Sequence, residues 1–221
     1  TQKTAWYVSQ KIRSTFDQGE EKLEGQIQID ETFIGGKNKN RDIDKKVQNT
    51  NDRTFKDKVT TIGFLNKEGF LRCEAIGSTK IPDIQPSVRK NVKEGSTIIT
   101  DEWGSYTGLR SEFHHSVVNH MAKRFVNESG HTTNRIENVW SHLKRLFVGT
   151  YNFVTKKHIQ RYLDEFTFRY NTKSSTQGVR LMVIIANAKG GITYKKVKDG
   201  KIFQAAPIEK TGYRRWIHDF R

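Results

Sequence analysis

The sequence predicts an α/β fold, a mixed sheet with helices packed around it. Three observations carry this. Short apolar runs with two-residue alternation fill the first half, a Pro-led helical stretch falls between them, and helical spacing takes over in the second half. In chain order, residues 4–17 (TAWYVSQKIRSTF and beyond) read as a helix, with Trp6, Ile12 and Phe16 near one face. GQIQIDETFIG at 25–35 alternates like a half-buried strand and stops at Gly35-Gly36. Residues 37–58 are polar, charged and poor in apolar side chains, the composition of a loop that orders only on binding. VTTIGFL (59–65) and FLRCEAI (70–76) are strands joined by the turn Asn66-Lys67-Glu68-Gly69, so a hairpin follows. Pro82 opens a helix that runs to about Val92. STIIT (96–100) is a short buried strand ending at Asp101, Trp103–Leu109 a helical turn or loop, and 115–119 another short strand. Asn134–Phe147, Lys156–Tyr170 and 178–187 carry helical periodicity. In the tail, 192–221, ITYKKV and KIFQAA read as strand-like pieces before a basic aromatic end, YRRWIHDFR.

Charge is the first clue to function. Lys and Arg number 39 against 24 Asp and Glu, a net charge of +15, which attracts polyanions in a salt-dependent way. No apolar run reaches the roughly 18 residues that a membrane-crossing helix needs. The single cysteine, Cys73, makes neither an intramolecular disulfide nor a structural zinc site, and its apolar setting marks it as a small buried hydrophobe.

Three acids stand out by position. Ile27 and Ile29 take one face of the first strand, so Asp30 projects from the other and Glu31 points away from it. Asp101 ends an apolar strand, where open α/β sheets place their chemistry. Glu137 opens a helix whose Ile136, Val139, Trp140, Leu143 and Phe147 form an apolar stripe, while Glu137, Ser141 and Lys144 form a polar stripe beside it. Carboxylates brought together suit hard divalent cations, and two such ions about 3.5 to 4 Å apart promote in-line displacement at a phosphodiester. Each acid also has a plainer reading: Asp30 paired with a lysine, Asp101 an N-cap, Glu137 the partner of an Asn134 N-cap in a capping box.

At these residues the chain resembles the ISXO2-like transposases of the IS1595 insertion-sequence family, relatives of the Merlin transposases. Four stretches carry the likeness: TAWYVSQKIR (4–13), IDETFIGGKNKN (29–40), TDEWGSY (100–106) and HTTNRIENVWSHLKRLFVGTYNFVTKKHIQRYLDEFTFRYN (131–171). The resemblance implies an RNase H-like mixed sheet flanked by helices. It implies a DDE triad of Asp30, Asp101 and Glu137, which would be both catalytic and metal-binding. Thirty-five residues separate Asp101 from Glu137, a spacing familiar among DDE transposases. Some members carry Asn at the third position, whereas this chain has Glu. The family's lysine seven residues beyond that acid matches Lys144.

The expected activity is metal-dependent cleavage and strand transfer of transposon ends, with Mg²⁺ or Mn²⁺, two ions, as cofactor. Lys144, Arg145, Arg135, Lys37, Lys39 and Trp103 are the expected DNA contacts; Trp103 and Tyr106 could instead pack beside the sheet. His131 is a weaker metal-site candidate. A homodimer or higher oligomer is expected on transposon-end and target DNA, because two ends are joined at once. The compartment would be the nucleoid of a bacterial cell or a eukaryotic nucleus. The expected organisation is a helical segment at 1–20, left from the linker to a missing DNA-binding domain, an RNase H-like catalytic domain at 21–195, and a basic tail at 196–221. Two alternatives stay open. One is a nuclease of the same fold without a joining step. The other is a transposase-derived DNA-binding protein that has lost catalysis.

Overall fold

The computed structural model describes residues 1–16, 18–35, 43, 58–101, 104–118, 130–151, 154–188 and 193–199. Most of the expected polar loop at 37–58, and the tail from 200 onward, therefore lie outside the described residues. The chain divides into two compact units, one spanning Lys22–Lys156 and the other joining Thr1–Glu21 to the chain from Lys157 onward.

The first unit holds five strands: β1 (Gln26–Ile34), β2 (Val59–Asn66), β3 (Leu71–Ile76), β4 (Thr97–Asp101) and β5 (His114–Val118). They lie in the order β3-β2-β1-β4-β5. β1, β2 and β3 pair antiparallel, while β4 and β5 run parallel to β1. With its flanking helices, this mixed sheet is the α/β, RNase H-like arrangement expected from the sequence. Helix α2 (Ile81–Asn91) makes the crossover to β4; Pro82 sits in its first turn, where a missing N–H costs nothing. Helix α3 (Asn134–Leu146) follows β5, and its last turn widens into a π-helical turn at Phe147–Tyr151.

Alternation along β1 assigns the faces. Ile27 and Ile29 are fully buried with Ile62, Phe64 and Ile98 of the sheet, Ile84 and Val88 of α2, and Tyr106 and Leu109. On the opposite face the buried stripe Ile136, Val139, Trp140 and Leu143 of α3 covers the sheet. Cys73 is buried on β3, as its apolar setting predicts.

In the second unit, α1 (Gln2–Arg13), α4 (Ile159–Asn171), α5 (Gln177–Asn187) and α6 (Tyr194–Lys198) gather around buried polar links. The Gln10 amide donates to the Tyr162 hydroxyl at 3.0 Å, and Arg13 pairs with Glu165 at 2.8 Å. Phe16 stacks on Phe168 with centroids 4.8 Å apart. Of the ITYKKV piece, Tyr194–Val197 are helical rather than strand-like: Thr193 caps α6 by accepting from the Lys196 N–H, and Val197 is buried one turn in. The capping hydroxyl and the buried Val197 both favour a helix in a segment too short for periodicity to reveal one. KIFQAA lies outside the described residues.

Candidate active site

The site is built on the α3 face of the sheet. β1 and β4 pair in parallel as Gln26↔Thr97, Ile27↔Ile98 and Gln28↔Ile99, and the same register carried onward sets Asp30 opposite Asp101. In-register residues of parallel strands share a face, so both acids point toward α3. Glu31 does project from the other face, and its carboxylate accepts a hydrogen bond from the Tyr106 hydroxyl.

The third acid arrives with α3, which two contacts align along β1. The Ile136 N–H donates to the buried Gln28 side-chain oxygen at 3.1 Å, and the Trp140 indole N–H donates to Asp30 Oδ2 at 2.9 Å. Thr133 is the N-cap, yet its side chain makes no capping bond. Gln28 therefore satisfies one of the helix's orphan donors from the strand. This arrangement removes the capping-box reading of Glu137: the cap is Thr133, not Asn134, and the Thr133 hydroxyl donates to Glu137 Oε1 at 2.8 Å.

Burial pushes the Asp30 carboxyl up to about 6. Hydrogen bonds from the Glu31 N–H and the Trp140 indole pull the other way, and the charges of Asp101 and Glu137 raise it further. Glu31 is pushed up to about 7, again by burial first, against the Tyr106 hydrogen bond and with the charges of Asp30 and Asp101 adding to the rise. Burial and Glu31 together lift the Tyr106 hydroxyl well above its usual value. The strand ends thus hold a negative cluster in which each charge disfavours the next. No cation pairs with Asp30 among the described residues.

The donor chemistry fits a hard divalent cation, because the side chains are oxygen ligands and burial disfavours the Asp30 charge that a cation would offset. Among the described residues, no group of three or more His, Cys, Asp and Glu stands close enough to hold a metal ion. In this conformation the acids share an electrostatic field rather than a ligand shell. His131 sits on the same face, its Nδ1 2.8 Å from the Ser116 hydroxyl of β5.

The basic residues are placed differently from one another. Lys144 is exposed on α3, two turns beyond Glu137, with no partner among the described residues. Arg135 is drawn to the hairpin, donating to the Lys67 carbonyl at 2.9 Å. Arg145 folds back on α3, donating to the Ser141 carbonyl at 3.2 Å. Lys37, Lys39 and Trp103 lie outside the described residues. Tyr106, read as either stacking or packing, is fully buried and packs.

Residues 22–171 match the family model of the ISXO2-like transposase domain. The chain belongs to this family. Comparison with curated proteins and with solved structures found no match. The matched span of this transposase domain contains Asp30, Asp101 and Glu137, as well as two groups that sequence reasoning did not single out. One is the Trp140 donor, hidden because a tryptophan in an apolar stripe reads as packing alone. The other is the Glu31–Tyr106 pair, whose signal was a carboxylate facing an apolar core with no partner nearby in sequence.

Proposed function

We propose that the chain is a DDE transposase that cuts DNA at transposon ends and joins the freed ends to target DNA. What supports the reading is the convergence implied when the parallel register of β1 and β4 is carried onward: Asp30 and Asp101 fall on one face, and the charges of Asp101 and Glu137 are felt at Asp30. Membership in a transposase family gives that convergence its chemical meaning.

In the first step, water attacks a phosphorus atom and the bond to the 3′-oxygen breaks, leaving a 3′-hydroxyl. In the second, that hydroxyl attacks a target phosphorus and displaces another 3′-oxygen. Asp30, Asp101 and Glu137 would hold Mg²⁺ or Mn²⁺. What bound cations supply is a polarised attacking oxygen and compensation of charge on the leaving oxygen. Lys144 projects into solvent from the Glu137 helix, free to contact a DNA phosphate.

Asp101→Asn tests the reading. Strand transfer of pre-cleaved transposon ends should be lost while DNA binding persists, and unchanged joining would remove Asp101 from the chemistry. The same substrate separates a transposase from a plain nuclease, since only the former inserts it.

A further inference from the structure

We propose that Trp140 and Gly63 form one positioning device for Asp30: the indole N–H fixes the carboxylate, and the missing side chain at 63 makes room for the indole. The proposal rests on reading Asp30 as a metal ligand.

Each Asp30 oxygen receives one donor. The Glu31 N–H reaches Oδ1 at 2.8 Å, and the Trp140 indole reaches Oδ2 at 2.9 Å. Two donors, one on each oxygen, restrain the carboxylate and leave each oxygen with capacity for a cation. The backbone donor comes with any residue but proline at 31, so the indole is the part that side-chain substitution readily changes.

Gly63 explains how the ring gets there. It pairs directly with Asp30 across β1 and β2, so its two faces match those of Asp30. Glycine inside a strand weakens it and often marks the close approach of another group. Its φ is not among the positive values that other glycines of this chain adopt, so the backbone does not require it. Space does. A Cβ at 63 would fall 2.4 Å from Trp140 Cη2, 2.7 Å from Cζ2 and 3.1 Å from Ile136 Cδ1. The benzo edge of the indole thus lies over Gly63 while its N–H meets Asp30. The indole is rigid and 4% exposed, so a push at one edge moves the N–H at the other.

Calorimetric titration of the full chain with Mn²⁺ tests this, with near-UV circular dichroism to follow packing. Trp140→Phe keeps an aromatic ring and removes the donor; Gly63→Ala keeps the donor and displaces it. Each should weaken Mn²⁺ binding roughly 10- to 100-fold, as loss of an outer partner of a metal ligand does. Because both act through one hydrogen bond, the double variant should bind within about twofold of Trp140→Phe alone. Asp30→Asn should lose the binding outright. The proposal is overturned if Trp140→Phe stays within about twofold of the unsubstituted chain while Asp30→Asn loses metal. If Asp30→Asn retains full affinity, Asp30 is no ligand, and the functional reading falls together with the proposal. Should Gly63→Ala not fold, Trp140→Phe decides alone.

Discussion

Asp30→Asn should make the metal-free protein more stable, and by more at pH 8 than at pH 5. The Asp30 carboxyl is held at about 6 against an unperturbed 3.8. The native state therefore keeps a proton that the unfolded chain has already released over that window, and stability falls as pH rises through it. Above about 6 both states are ionised and the full cost stays, on the order of 3 kcal/mol at pH 8. At pH 5 the cost is about 1.5 kcal/mol, because the unfolded chain is ionised while the native carboxyl is still protonated. Asparagine does not titrate. Any fixed effect of exchanging carboxyl for amide cancels when the two pH values are compared, leaving a gap that widens by at least about 1.5 kcal/mol, because removing the Asp30 charge also relieves the Glu31 carboxyl. For a chain of this size that is roughly 3 to 6 °C in melting temperature. Thermal melts of both proteins in chelator at pH 5 and pH 8 measure it directly. A gap that stays constant between the two values would show that Asp30 carries no burial cost.

Three further changes have defined outcomes. Tyr106→Phe removes the hydroxyl that donates to Glu31, leaving a buried carboxyl without that partner; urea unfolding should show a loss of about 1–3 kcal/mol at pH 8 and less at pH 5, where Glu31 is protonated. Gln28→Leu leaves the Ile136 N–H buried without its acceptor and should cost about 1–3 kcal/mol, measured the same way. Lys144→Ala should leave the melting temperature unchanged, since the side chain is exposed and unpartnered among the described residues, while the slope of log affinity for DNA against log salt falls by about 0.9 if the lysine meets one phosphate.

The sequence makes some of this legible and hides the rest for physical reasons. Strand alternation reveals that Asp30 and Glu31 part to opposite faces, because a period of two leaves no other outcome. It also reveals the apolar stripe of α3, whose four buried residues recur at helical spacing. The parallel register that sets Asp30 opposite Asp101 is different, since pairing between strands so far apart in the chain leaves no local trace. The cap of α3 misleads for a related reason. Asn134 is a good capping residue, but the strand residue Gln28 already meets an orphan N–H of the helix, and the boundary moves to Thr133. Tertiary contacts of this kind override local preference without marking the sequence beforehand.

The same contacts explain why the third acid need not be placed by its own bonds. Gln28 and Asp30 stand two residues apart on β1, about 6.6 Å. Their α3 partners, Ile136 and Trp140, stand four apart on a helix, about 6 Å. The two rises nearly coincide, so helix and strand can hold both hydrogen bonds at once only in this register. A slip of one residue would turn the helix by roughly 100° and break both. Glu137 lies between the two fixed points, so its direction follows from bonds made by its neighbours. The acid stays exposed on α3, while the register that presents it is secured by buried polar groups.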